Sequence, residues 1–204
     1  MRGVFVSFEG GEGSGKSTQA RRIAERRGAV LTRQPGGTEI GASIRHLLLS
    51  TDTDGLSLRA EALLMAADRA QHVDELIRPA LESGRDVVCD RYMASSLAYQ
   101  GAGRGLGVEA VAALSEFAID GLVPDLTVLL DVPVEVGMGR IESAPDRLES
   151  LGAGFHQRVR GAYLELAAAS PQRWVVIDAA QSLDAVAAAV DAIVADRLGW
   201  NVDG

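Results

Sequence analysis

A glycine-rich octapeptide directly behind an apolar run constrains this chain more than any other feature. Val4-Phe5-Val6-Ser7-Phe8 is rich in β-branched and aromatic residues and reads as a buried strand. Gly10-Gly11-Glu12-Gly13-Ser14-Gly15-Lys16-Ser17 follows it, and the stretch from Thr18 to Glu25 reads as a helix. The octapeptide fits Gly-x-x-x-x-Gly-Lys-[Ser/Thr], and strand, loop and helix in that order are the context the pattern requires. A flexible turn that matched by accident would have no reason to sit there. Such a loop turns its backbone N–H groups onto phosphate oxygens at a helix N-terminus. Lys16 brings a point charge to the outer phosphates, and the Ser17 hydroxyl is a ligand for Mg²⁺.

Short, nearly continuous apolar runs recur at 29–32, 85–89, 126–130 and 174–177, which is how parallel strands covered on both faces read. Helical patterns separate them, among them 58–81, 107–119 and an Ala/Val-rich stretch over 183–198. The alternation predicts an α/β fold with helices on both sides of a parallel sheet. At 204 residues the chain suits one domain, 1–204. Only 4% of residues are aromatic against 47% hydrophobic, so Ala, Leu and Val must fill the core. The glycine-rich stretch 101–107 has no strand before it and reads as a mobile connection near the site; residues 142–147 read as a short lid between two helices.

A net charge of −8 argues against a nucleic-acid polymer as partner, because such proteins usually present a basic surface. The lone Cys89 sits in an apolar run and reads as a small core residue; it excludes a disulfide framework and suits a reducing cytoplasm. No uncharged apolar run is long enough for a membrane span, and Glu9 and Glu12 interrupt any early apolar segment of the signal-peptide kind.

In an open parallel sheet ligands bind beyond the C-terminal strand ends, so polar residues at those ends are the ones to inspect. They are Arg33 with Gln34 and Pro35, Asp90 with Arg91, Asp131, and Asp178. Asp90 stands where a carboxylate holds Mg²⁺ directly or through water, and Arg91 is placed for a phosphate on an acceptor. The alternative is a structural Asp90–Arg91 ion pair. Arg33, Arg45 and Arg69 are candidates to complete an anionic pocket. His46, His72 and His156 share no metal-ligand spacing and read as structural.

Taken in order, these residues resemble the thymidylate kinase family over about residues 3 to 198. The resemblance rests on Glu9-Gly10-x-Glu12-x-x-Gly15-Lys16-Ser17, Arg33-x-Pro35-Gly36-Gly37-Thr38, Arg45-x-Leu47-Leu48-Leu49, Glu61-x-Leu63-Leu64 with Arg69 and His72, Asp90-Arg91-Tyr92, Ser95-Ser96-x-Ala98-Tyr99-Gln100-Gly101, Pro124-Asp125-Leu126-Thr127, Leu130-Asp131-Val132, Asp146-Arg147-x-Glu149 and Ile177-Asp178-Ala179. The Pro35–Thr38 and Ala98–Gly101 segments are the most specific of these. The resemblance implies a three-layer P-loop fold with strand order 2-3-1-4-5, a lid at 142–150 and a homodimer. It implies phosphoryl transfer from ATP with Mg²⁺ to thymidine monophosphate, in dTTP synthesis. Gly10, Gly11, Glu12, Gly13, Ser14, Gly15, Lys16, Ser17 and Thr18 would hold the ATP phosphates, with Ser17 and Asp90 on the metal and Asp178 and Gln181 beside the adenine. Arg33, Pro35, Arg45, Met65, Arg69, Arg91, Ser96, Tyr99 and Gln100 would form the acceptor site. Within it, Arg91 would lie on the monophosphate, Arg69 near the base, and Glu12 and Tyr99 at the sugar.

The chain departs from that family at three places. Met65 replaces the phenylalanine that usually stacks on thymine. Gln34 replaces a glutamate, which removes a charge near the acceptor phosphate. The phosphate loop carries no arginine and the lid is short, so Arg140 and Arg147 are the candidates for closing onto the transferring group. These departures leave open a kinase for another nucleoside monophosphate or a deoxynucleoside, and a catalytically weakened nucleotide-binding protein. No Asn-Lys-x-Asp guanine signature occurs.

Overall fold

The structure, a computed structural model, describes residues 1–51, 53, 55–141 and 144–200. Glu142 and Ser143 of the expected lid, and the last four residues of the chain, lie outside them. The elements run β1 (Phe5–Glu9), α1 (Lys16–Arg27), β2 (Val30–Arg33), α2 (Glu39–Leu49) and α3 (Leu58–His72). A π-helical turn over Val73–Ile77 leads to α4 (Arg78–Glu82), β3 (Val87–Asp90) and α5 (Met93–Ser96). A second π-helical segment, Leu97–Gly103, precedes α6 (Val108–Ile119) and β4 (Leu126–Asp131). The chain closes with α7 (Val134–Met138), α8 (Ala153–Ala169), β5 (Trp174–Asp178) and α9 (Leu183–Leu198).

The five strands form one sheet in the order β2-β3-β1-β4-β5 and every pair is parallel. The register sets Phe8 and Arg33 opposite Asp90, and Asp131 opposite Asp178. Polar residues at the strand ends therefore share one edge, where the crossover loops deliver the rest of the site. Strand alternation splits the core between the two faces. Val6, Phe8, Val88, Val128 and Leu130 pack with Ile23 of α1 and Val190 and Val194 of α9. Phe5, Val87 and Cys89 pack with Ile77, Leu81 and Ile119 on the other face. Each such aliphatic or aromatic side chain contributes about 1.5–3 kcal/mol by leaving water. The central strands are covered on both faces. β2 and β5 are not: Leu31 and Val176 remain exposed because each lies on an edge strand.

The long helical pattern of 58–81 is present but widens at Val73–Ile77, immediately before Pro79, a residue with no N–H to donate to the turn behind it. The glycine-rich stretch departs further from expectation. Gly101 and Gly103 are buried members of a helical segment, not part of a loose connection. Small residues are needed here because α8 lies against them: a Cβ on Gly103 would stand 2.6 Å from Phe155 Cε2 and 2.9 Å from Val159 Cγ2. Gly103→Ala is expected to lower stability by about 1–3 kcal/mol through overpacking, read as a lower denaturation midpoint with an unchanged slope.

Candidate active site

The phosphate loop leaves β1 and ends in the first turn of α1, with Gly15 in the left-handed region as N-cap. It is clamped from outside. A Cβ on Gly13 would lie 1.9 Å from the Gly137 carbonyl, so α7 touches the loop backbone directly. Lys16 Nζ donates to the Gly11 carbonyl at 2.9 Å and lies 4.0 Å from Glu12 Oε2. Burial and the nearby Arg91 charge both lower its pKa, partly offset by the surrounding carboxylates. The Ser17 hydroxyl donates to Asp90 Oδ2. Asp90 Oδ1 and Ser14 Oγ are buried and have no hydrogen-bond partner among the described residues. A carboxylate and a serine hydroxyl together, with one oxygen left over, fit a hard oxygen-seeking cation that shares its remaining ligands with phosphate and water. A closed cage of protein ligands is not expected for such an ion, and no group of acidic, His or Cys residues among the described ones forms one.

Arg91 follows β3 and adopts φ 69°, a conformation that a non-glycine residue holds only when its surroundings demand it. Its guanidinium donates to the Gly10 carbonyl at 3.0 Å, to Glu12 Oε1 at 2.7 Å and to Tyr99 Oη at 3.0 Å. It also reaches Ser95 Oγ at 3.3 Å and Tyr163 Oη at 3.2 Å. Tyr99 in turn donates to Glu12. Burial alone would raise the Glu12 pKa, but the charges of Arg91 and Lys16 and the Tyr99 hydrogen bond hold it at about 2. Behind this cluster Glu9 is fully buried and accepts from the Tyr92 N–H, Ser95 Oγ and Tyr163 Oη at 2.7–3.0 Å. Asp90 and Arg91 are not paired with each other, so the structural ion-pair alternative does not hold.

Beside the loop opens a cavity of about 240 Å³. Glu12, Lys16, Ser17 and Asp90 line it together with Arg33, Pro35, Arg45, Met65, Arg69, Arg91, Ser96, Tyr99 and Gln100. Donor loop and candidate acceptor residues thus share one continuous space. Arg45 donates to the Pro35 carbonyl at 3.0 Å. Arg69 is only 2% exposed, donates to Gln34 Oε1 at 3.0 Å and Ser96 Oγ at 2.8 Å, and has no carboxylate partner among the described ion pairs. Gln34 lines the same cavity and accepts from the arginine that the family resemblance places at the base. Asp178 and Gln181 lie off the cavity, hydrogen-bonded to each other at 3.3 Å. Arg140 links that turn to the phosphate loop, donating to Ala179 O at 2.9 Å and Gly13 O at 3.3 Å. Arg147 turns away from the loop, to Glu61 Oε2 at 2.7 Å and Leu48 O at 2.8 Å.

Several participants carry no separate signal in the sequence. Tyr163 sits on the apolar face of α8 and reads as core until its hydroxyl is seen on Glu9. Asp68 lines the cavity and accepts from the Gly36 N–H at 2.8 Å. Burial raises its pKa to about 6 against that hydrogen bond and the charges of Arg69 and Arg45. An acid beside Arg69 on the face of α3 that also carries Met65 was the available clue. His72 is structural, as expected, and so is the buried Cys89.

Fold and site together define a P-loop phosphotransferase, a protein that holds a nucleotide triphosphate on one loop and an anionic acceptor in the adjoining cavity. The comparison with known proteins narrows this. The family described as thymidylate kinase matches residues 8–190, and the chain belongs to it. It is 53% identical to a thymidylate kinase of Bifidobacterium longum (strain DJO10A) over 199 residues, covering 94% of this chain and 97% of the relative. It is 48% identical to one from Caulobacter vibrioides, covering 97% and 99% of the two chains. A Pseudomonas putida (strain F1) relative of the same name is 46% identical, with 95% and 96% covered.

The hydrogen bonds behind Arg69 fix one more state. Because Arg69 Nε donates to Gln34 Oε1, Gln34 Nε2 must donate to His72 Nδ1, at 3.0 Å. The His72 Nε2–H then donates to Thr32 Oγ1 at 2.7 Å. The ring is therefore neutral, and burial followed by the Arg69 charge lowers its pKa to about 4. A base with a depressed folded pKa gives stability that is complete above its unfolded pKa near 6.5 and is lost as pH falls toward 4. Asp68 has the opposite sign, but it is common to wild type and a His72 variant and cancels in their difference. Urea unfolding of wild type and His72→Gln at about pH 7 and about pH 4.5 is expected to show wild type losing on the order of 2–3 kcal/mol more than the variant.

Proposed function

We propose that this chain transfers the γ-phosphoryl group of ATP to thymidine monophosphate, giving ADP and dTDP. The observation that carries the reading is the shared cavity: Lys16, Ser17 and Asp90 line the same space as the buried Arg69, Ser96 and Gln100. Backbone N–H groups of Gly10–Ser17 cradle the donor phosphates. Lys16 leaves the Gly11 carbonyl for the β- and γ-phosphate oxygens, a cation already desolvated and so stronger in effect. Asp90 and Ser17 would hold Mg²⁺, whose charge would offset that of the phosphates. Arg91 faces the acceptor phosphate from the hub it forms with Glu12. Arg69, held by neutral Gln34 and with no carboxylate directly paired to it among the described residues, offers a cation to a base edge rich in acceptor oxygen. Tyr99 and Glu12 stand at the sugar. Arg140, between the phosphate loop and the Asp178–Gln181 turn, orders the donor side.

This reaction needs little covalent help from the protein. Positioning, exclusion of water and positive charge around the moving group supply the catalysis. Met65 is compatible with a thymine ring, since a thioether contacts an aromatic face favourably by about 0.3–1.5 kcal/mol. The unit is one kinase domain over 1–204, with 142–150 as its lid segment. No helix among the described residues is long and apolar enough to cross a membrane, and the free thiol of Cys89 suits the cytoplasm. We place a homodimer contact on the side where α2, α3 and α6 pack together and expose Leu47, Leu63 and Phe117, the last with 89% of its surface free.

The test is ADP formation with ATP, Mg²⁺ and a panel of thymidine, deoxyuridine, deoxycytidine and guanosine monophosphates. Thymidine monophosphate is expected to give the highest kcat/KM, and Lys16→Ala to lower turnover by about 10²–10³ through loss of charge on the phosphates. Asp90→Asn is expected to raise the Mg²⁺ concentration needed for half-maximal rate. Faster turnover of another monophosphate would reassign the acceptor, and nucleotide binding without ADP formation would mark a protein that has lost transfer.

A further inference from the structure

The lid segment's arginine does not point where a transition-state arginine must. Both side-chain hydrogen bonds of Arg147 run to α2 and α3: Nη2 to Glu61 Oε2 at 2.7 Å and Nε to the Leu48 carbonyl at 2.8 Å. Its backbone N–H adds a third link, to Leu49 O at 3.3 Å. Glu61 is fully buried and accepts four further-reaching demands at once. Arg104 donates to it at 3.2 and 2.8 Å, Gln100 at 3.0 Å, and Arg147 completes the set. Burial would raise the Glu61 pKa, and the hydrogen bonds from Arg104, Gln100 and Arg147 outweigh it and hold the carboxyl below its usual range. A buried carboxylate stays ionised only while such donors remain in place, so an Arg147 that swung out to the phosphates would strip one from a site that water does not reach.

What Arg147 holds is the wall of the acceptor cavity. Its neighbours Asp146, Leu148 and Glu149 line that cavity, as does Gln100. Asp146 Oδ1 accepts from the N–H groups of Leu148 and Glu149 at 2.8 Å, and Glu149 Oε2 accepts from the Asp146 N–H at 3.0 Å, so 146–149 is a closed turn. Leu148 packs with Met65 and Tyr99 in one cluster. One arginine therefore docks this turn onto α3 and, across Glu61, fixes the amide of Gln100 on the same cavity.

We propose that Arg147 is a positioning residue for the acceptor nucleotide, acting through Glu61 on Gln100 and on the turn 146–149, and that it does not stabilise the transferring phosphoryl group. The proposal rests on the acceptor reading above and reassigns the residue that the short lid offers as a phosphate-closing arginine. A transition-state group and a ground-state positioning group separate in steady-state kinetics. The former lowers kcat, whereas the latter raises the acceptor KM.

The experiment uses the full chain and compares wild type, Arg147→Ala and Arg147→Lys, each also made in a Gln100→Ala background. Thymidine monophosphate turnover by wild type is the control on the functional reading itself. Calorimetric titration of the same nucleotide gives acceptor affinity even if turnover is lost. Arg147→Ala is expected to raise the acceptor KM and Kd about tenfold while kcat and the ATP KM stay within about threefold. Arg147→Lys, which keeps a cation for Glu61, is expected to recover part of the loss and carries the test if the alanine variant melts early. With Gln100 already removed, the change at 147 is expected to add less than its effect alone, because only its hold on the turn 146–149 remains to be lost. A fall in kcat of about a hundredfold with unchanged acceptor KM would overturn the proposal, as would full additivity with Gln100→Ala or no change in either constant.

Discussion

A single buried guanidinium holds the two halves of this site together. Arg91 touches the phosphate loop at Gly10 and Glu12, the helical segment behind β3 at Ser95 and Tyr99, and α8 at Tyr163. Such a group is costly to bury and persists only where every donor finds an acceptor. Here burial would lower its pKa, but Glu12, followed by the oxygens of Tyr99 and Tyr163, raises it well above the ordinary value. The left-handed backbone at Arg91 is the conformational cost, of order 1–2 kcal/mol, and it aims the side chain back under the loop instead of outward.

The sheet makes that arrangement possible. Because the register of β1 and β3 sets Phe8 opposite Asp90, Glu9 at the next position of β1 faces the other side of the sheet, buried, while Asp90 faces Ser17. Glu9 then anchors Tyr92, Ser95 and Tyr163 beneath Arg91. The acceptor side has its own anchor in Glu61, which gathers Gln100, Arg104 and Arg147. Two buried acids thus anchor two sets of donors, Glu9 the hydroxyls and N–H beneath Arg91 and Glu61 the side chains at the cavity wall, while Met65, Tyr99 and Phe155 share one core cluster. Rigid charge around a narrow cavity is what phosphoryl transfer asks of a protein.

Much of this was legible in the sequence because it is local. The phosphate loop, the strand runs and the Ala/Val-rich helix 183–198 each announce themselves within a dozen residues. The strand-end rule placed Arg33, Asp90 and Asp178 on one edge, and the register bears that out. What escaped depends on contacts between distant segments. Tyr163 is separated from Glu9 by 154 positions, and nothing in α8 distinguishes its hydroxyl from a core ring. That the Gln34 amide bridges Arg69 and His72 could not be read from its place after β2. Glycines at 101–107 suggested looseness, whereas Gly101 and Gly103 are small because α6 and α8 press against them.

Arg91 is thus one structural hub for the phosphate loop and the cavity beside it, the proposed donor and acceptor sites. Calorimetric titration of Arg91→Met, a variant of similar bulk without the charge, tests it directly, with circular dichroism to establish that the protein is folded. Affinity for ATP with Mg²⁺ and affinity for thymidine monophosphate are both expected to fall, each by at least about tenfold, because the loop at Gly10 and Glu12 loses its tether along with the acceptor phosphate losing its partner. ATP affinity within about twofold of wild type, with only the acceptor weakened, would contradict it and leave Arg91 as a ligand of the acceptor alone.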